Sequence, residues 1–174
     1  MRKSRALGLI SLIISLQSYG QSTRIGDWTI QVDHDPFFAA TSNDSNSLGQ
    51  FCSEAAHRCF YTVTSQSACD LGIAYPVLLN TDSGVSPNSV VCMGKLENSE
   101  NYWYTISDFE KMDAMIRQSR RISIAFPIGG ERFQIMSFSL EGAGAAIIFM
   151  RSVADRVINH EERRSPVPIR DARG

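Results

Sequence analysis

The sequence predicts an α+β fold: a mostly antiparallel β-sheet or sandwich with two helices in the C-terminal half, stapled by disulfides. Three observations carry that expectation. Short runs of alternating apolar and polar residues, bounded by Gly, Pro, Asn, Asp or Ser, recur from Trp28 to Phe138, as strands and hairpins require. All 4 cysteines fall between Cys52 and Cys92. Two later segments, after Ser107 and after Gly142, repeat their apolar residues at helical spacing instead.

Residues 1–20 stand apart from the fold. Arg2, Lys3 and Arg5 precede the apolar run Ala6 to Leu16, and Ser18-Tyr19-Gly20 puts small residues at the −3 and −1 positions of a cleavage site before Gln21. This is the pattern of a signal peptide. The alternative is a retained anchor, which the run is too short to form comfortably, since a spanning helix needs about 20 apolar residues. No later stretch is apolar enough to cross a membrane, so the mature chain is expected to have no transmembrane segment. The remainder reads as one domain over 21–158, long enough for one core, and a polar tail over 159–174 expected to be disordered.

In chain order, Ser22 to Gly26 is a short polar lead. Trp28, Ile30 and Val32 alternate with polar residues as a half-buried strand, and Asp33-His34-Asp35-Pro36 breaks it. Phe37 to Thr41 resumes as a second strand, followed by a polar loop, Ser42 to Ser47, with Gly49 reopening the chain. Gln50 to Ser53 and Cys59 to Thr64 form a hairpin. Ala74 to Asn80 is a strand whose Pro76 suits an edge or a strand start, and Thr81 to Asn88 is a turn-rich connection into Ser89 to Met93. Tyr102 to Ile106 is β-prone by its aromatic and β-branched content.

The first helix opens with Ser107-Asp108-Phe109-Glu110, the Ser-x-x-Glu spacing of a capping box, and puts Phe109, Met112, Met115 and Ile116 on one face. Arg121 to Phe126 and Arg132 to Phe138, separated by Pro127-Ile128-Gly129-Gly130, make a further hairpin. The second helix runs from Gly142 to about Val157 and buries Ala146, Ile147, Met150, Val153, Ala154 and Val157. Gly142 and Gly144 near its start are placed to let a strand approach closely.

Four cysteines in an exported chain point to two disulfides. Of the three possible connectivities, the hairpin brings Cys52 opposite Cys59, which leaves Cys69 for Cys92. Metal binding and thiol chemistry fit less well, because no Cys-x-x-Cys pair is present and the spacings match no common zinc module.

Charge excludes one class of partner. The chain has 17 basic and 18 acidic residues, and three of the basic ones lie in the leader, which leaves 14 against 18 and a net charge near −4. Nucleic-acid binding needs clustered Lys and Arg, so none is expected. Catalytic signals are also missing. No Gly-x-Ser-x-Gly elbow, Ser-x-x-Lys pair or Gly-rich phosphate cradle occurs, so no cofactor and no metal is implied. His34 between Asp33 and Asp35 reads first as a polar turn and only second as a base or cation site; His57 reads as a surface loop residue. Asn43 to Gly49 alternates oxygen-bearing side chains, but its glycine is misplaced for a calcium loop and the closing Glu is missing.

Tyr102-Trp103-Tyr104 is the candidate binding surface, because strand alternation sends so aromatic a run to both sides of a sheet and Tyr and Trp are enriched at binding hot spots. The competing reading packs Trp103 inward and leaves the two tyrosines covering the sheet edge. Phe37 and Phe38 pose the same choice.

Gly26-Asp27-Trp28-Thr29-Ile30 soon after a signal peptide, cysteines in the first half, and Phe133 to Phe138 followed by Ser139-Leu140-Glu141-Gly142 and an Ala-rich helix resemble the invasion-associated locus B family of exported bacterial proteins. The chain departs from that family's pattern in having Gln31 and Val32 where a cysteine tends to follow the tryptophan strand. The resemblance implies a small β-rich periplasmic or surface-associated protein linked in some bacteria to host-cell invasion, and supplies no catalytic residues. The leading expectation is therefore an exported, non-enzymatic binding protein of the bacterial envelope, periplasmic or secreted, with a protein partner. An inhibitor or immunity-type protein acting on an envelope hydrolase, with contacts on a protruding Thr81–Asn88 loop, is one alternative. A small hydrolase using His34 or His57 is the other.

Overall fold

Residues 22–127 and 132–164 are described by a computed structural model, with side chains as far as residue 158. Residues 1–21, 128–131 and 165–174 lie outside the described residues, and with them the expected signal peptide and most of the expected tail. In chain order the elements are β1 (Thr23–Ile25), β2 (Trp28–Gln31), β3 (Phe37–Asn43), β4 (Asn46–Ser53), β5 (Arg58–Ser65), β6 (Ala74–Thr81) and β7 (Gly84–Lys95). They continue as β8 (Tyr102–Ile106), α1 (Phe109–Gln118), β9 (Arg121–Pro127), β10 (Phe133–Ser139) and α2 (Ala143–Arg164).

The strands form one 10-stranded sheet in the order β1-β2-β3-β4-β5-β8-β7-β6-β9-β10, and every pairing is antiparallel. Neighbours in sequence pair as far as β5; β8 then takes the next place, the chain's order reverses through β7 and β6, and β9 and β10 complete the sheet. Alternation sets the two faces. Trp28 and Ile30, Tyr61 and Val63, Val77 and Leu79, Ile122, Ile124 and Phe126, and Met136 and Phe138 are all buried on the inner side. There α2 lies across β1 to β4, and α1 packs beside β5 and α2.

The sheet rolls so that β10 returns to β3 and β4. Asn43 Nδ2 donates to the Ser137 carbonyl at 2.7 Å and Trp28 Nε1 to the Ser139 carbonyl at 3.2 Å. Below them Asp27 N donates to Glu141 O at 3.0 Å. The chain crosses itself there on two glycines with positive φ, Gly26 at 57° and Gly142 at 83°, and a Cβ on either would collide with the other segment's backbone. The expected close approach at Gly142 is thus present, whereas Gly144 has open space around its Cβ position.

Several boundaries differ from the sequence reading. Ser22 to Gly26 is not merely a lead, because Thr23–Ile25 pairs with Trp28–Ile30 as β1. The Ser42–Ser47 loop is a tight hairpin: Asn43 pairs with Asn46, and Asp44 takes a φ of 49°, a left-handed position that Asp tolerates. Thr81 to Asn88 is likewise no protruding loop, since Val85 to Asn88 pair with Val77 to Asn80 in β7. Its turn is anchored by the Asp82 carboxylate, which accepts from Arg120 N at 3.1 Å.

The helix ends also move. Asp108, not Ser107, caps α1, with its carboxylate accepting from Lys111 N at 3.0 Å. Ser107 is held in the sheet instead, its N–H donating to Ser89 O at 2.9 Å. Helix α2 continues to Arg164, past the expected end near Val157, because Glu and Arg at 161–164 are good helix formers that extend an existing helix at little cost.

Candidate functional site

Both disulfides pair as expected, Cys52 with Cys59 and Cys69 with Cys92. The first lies directly across β4 and β5, and the second ties the segment before β6 to β7. With those strands fixed, the outer face of the sheet is set by register.

On the outer side of β7, β6, β9 and β10 one row runs Pro87, Leu78, Ala125, Ile135. Beside it Phe133 pairs with Pro127, with Pro76 on the next strand. All of these except Ile135 line a shallow depression of about 280 Å³. Leu78 is 45% exposed, Phe133 58% and Ile135 68%. The row beyond runs Val85, Asn80, Ser123, Ser137 and is polar apart from the exposed Val85. Sequence reasoning missed this patch although a signal exists. Leu78 falls between the inward Val77 and Leu79, and Ile135 beside the inward Met136, so these strands are apolar on both faces where simple alternation calls for a polar residue.

The same face of β3, β4 and β5 carries a phenylalanine ladder. Phe38 stacks on Phe51 at 5.4 Å between centroids, and Phe51 on Phe60 at 6.5 Å. The three rings are half-buried by one another, as cross-strand aromatic pairs are. Phe37, in contrast, points into the core.

The aromatic run of β8 divides between the faces. Tyr104 is buried against Phe126 and donates its hydroxyl to Ser67 O at 2.6 Å. Burial, with Tyr75 and Tyr102 nearby, pushes its pKa up to about 12, so it stays a neutral donor. Neither sequence reading anticipated Tyr104 as the inward residue. Tyr102 shares its side of the strand and is half-buried. Trp103 is half-buried on the outer face, paired with Thr64 and Gly94.

The most developed polar cluster is one that sequence reasoning overlooked. Asp113 accepts from the Tyr61 hydroxyl at 2.6 Å and pairs with Arg151 on one oxygen and Arg117 on the other, both at 2.5 Å. Arg151 Nε also donates to Gln50 Oε1 at 2.6 Å, and its guanidinium lies 5.4 Å from the centre of the Phe109 ring. Desolvation alone would raise the Asp113 pKa, but hydrogen bonds from Tyr61 and Arg151 and the charges of Arg151 and Arg117 outweigh it, and the net shift is downward. Burial first, then Asp113, drives the Tyr61 pKa upward. Neither group exchanges a proton near neutral pH. The cluster joins α1, α2, β4 and β5, and Tyr61, Asp113 and Arg151 are committed to one another, while Gln50 Nε2 is buried with no hydrogen-bond partner among the described residues.

The remaining candidates stay at the surface. His34 Nδ1 is 2.9 Å from Asp33, its Nε2 is 2.7 Å from the Gln31 amide, and Asp35 accepts from Glu54 N at 2.9 Å. These contacts tie the β2–β3 loop to the β4–β5 turn, where His57 is exposed with a φ of 48°. No nucleophile is hydrogen-bonded to either ring in these contacts, although His57 also makes an interaction of its own. Among the described residues no group of three His, Cys, Asp or Glu is arranged to hold a metal ion, and no helix is long and apolar enough to cross a membrane.

One solved structure with this architecture is the crystal structure of invasion associated protein b from Bartonella henselae. The TM-score is 0.58 and the identity 14%, over 78% of this chain and 99% of that one. At that identity the likeness is one of fold. No family model matches the chain, and no curated protein matches it in sequence.

Proposed function

We propose that this chain is an exported, non-enzymatic interaction protein of the bacterial envelope that binds a protein partner through the outer face of β6, β9 and β10. The observation that carries the reading is the exposure of Leu78, Phe133 and Ile135 in adjoining rows of one sheet face. Contiguous apolar surface of this kind on a soluble domain marks an interaction site. Trp103 and the phenylalanine ladder extend aromatic surface across the other half of the same face. The name of the Bartonella protein supports an envelope or host-interaction setting. A signal peptide over 1–20, a folded domain over 21–158 and a periplasmic or secreted location complete the proposal, consistent with the two disulfides.

The inhibitor reading has one observation in its favour: Val85, next to the β6–β7 turn, is 64% exposed. It places the contacts on that turn rather than on β10. The hydrolase reading lacks support, because the one developed acid–base cluster, at Asp113, is locked into structural pairs.

Crosslinking in the native envelope separates these. Leu78→Asp combined with Ile135→Asp is expected to abolish a specific crosslinked partner that the unsubstituted protein and Val85→Asp retain. Retention by the double variant contradicts the proposal, and loss with Val85→Asp alone favours the inhibitor.

A further inference from the structure

The open edge of β10 identifies the form of that partner. The carbonyls of Ser137 and Ser139 accept side-chain donors from Asn43 and Trp28 on the side away from β9. Strand geometry repeats every second residue, so the backbone N–H and C=O of Phe133 and Ile135 point to that same side. Among the described residues no hydrogen bond reaches them. The first half of β10 is therefore an unpaired edge that also carries two exposed apolar side chains on the sheet's outer face, Phe133 at 58% and Ile135 at 68%.

Elsewhere the sheet guards its edges. The opposite edge, β1, is 3 residues long and carries the exposed Arg24. The parts of β6 and β7 that have a neighbour on one side only contain Pro76 and Pro87, which offer no N–H. The second half of β10 is capped by Asn43 and Trp28. Short strands, charges and prolines are how proteins prevent edge pairing, and Phe133–Ile135 has none of them.

We infer that this edge takes an extended segment of the partner as an added strand, paired to the main chain at Phe133 and Ile135. The inference rests on the interaction reading above and adds the partner's chemistry. The open backbone groups call for extended main chain, and Phe133 and Ile135, alternate residues exposed on the outer face, call for apolar side chains at alternate positions of it. The segment is short, because Asn43 occupies the edge from Ser137 onward.

The test uses the disulfide-bonded protein and two synthetic hexapeptides of alternating Thr and Val, one unmodified and one N-methylated at every second amide. Amide resonances and hydrogen exchange are followed by NMR. The expected result is that the unmodified peptide shifts the Phe133 and Ile135 amides and slows their exchange at least severalfold, and that the methylated peptide does neither. Ile135→Pro, which removes an N–H not used in the β9 ladder, is expected to abolish the response, and Ile135→Val to preserve it. Equal effects of both peptides, or of neither, overturn the inference. So does concentration-dependent protection of these amides without peptide, which would assign the edge to a second copy of the chain. If the peptides fail while the Leu78 and Ile135 double variant still loses its envelope partner, strand addition is wrong and the interaction surface stands.

Discussion

Asp113 sits inside the apolar stripe of α1, beside Met112 and one turn before Ile116. Helical periodicity registers such a stripe by its apolar members, so the aspartate at i+4 from Phe109 passes as a surface residue. Its partners lie 52 residues earlier at Tyr61 and 38 later at Arg151, separations that no local pattern links. The cysteines differ, because compartment and hairpin geometry together restrict their pairing. Removing the Asp113 carboxylate leaves Arg151 without its acidic partner, and Asp113→Ala is expected to cost about 3 kcal/mol, the lower end for a broken buried pair. The pH dependence follows from the lowered pKa. A carboxylate whose folded pKa is depressed contributes its stability in full above the unfolded value, near 4, and loses it as pH falls through the folded value. Urea unfolding at pH 7 and pH 3 is expected to show a smaller loss for Asp113→Asn than for the unsubstituted protein. An equal loss would assign the acid sensitivity to other groups.

At the scale of elements, the strands were legible wherever one face is apolar and the other polar, as in Arg121–Pro127. They were not legible where polar turn residues are themselves paired, as at Ser42–Ser47 and Thr81–Asn88. There two-residue turns replace the expected loops, since Ser, Thr and Asn on an outer face are compatible with a ladder. The cap of α1 was placed one residue early because Ser107 and Asp108 are both good cap residues, and only the Ser107–Ser89 hydrogen bond decides between them. The crossing of the β1–β2 turn over the start of α2 gives a sharper test. Gly26→Ala and Gly142→Ala each combine a positive φ with a backbone collision, and each is expected to destabilise by more than about 1 kcal/mol. Gly144→Ala, with nothing near its Cβ position, is expected to stay within about 1 kcal/mol of the parent, on the stabilising side. Denaturant midpoints of the three variants measure the difference.

For the whole molecule, fold class and disulfide framework follow from patterning, whereas the strand order and the return of β10 to β3 do not. The β5–β8 and β6–β9 pairings join segments about 40 residues apart, and which strands meet is settled by the rolled core around Trp28, Tyr104 and Phe126. The same gap hid the outer apolar rows, because Pro87, Leu78, Ala125 and Ile135 become neighbours only once four strands are in register. Interaction through that face is the central claim, and oxidative side-chain footprinting in the native envelope tests it most directly. Leu78, Phe133 and Ile135 are expected to be several times less reactive there than in the purified protein, while Val85 and the exposed Ile148 on α2 are unchanged. Full reactivity of the β6 and β10 residues in the envelope, with protection at Val85 or Ile148 instead, would contradict it.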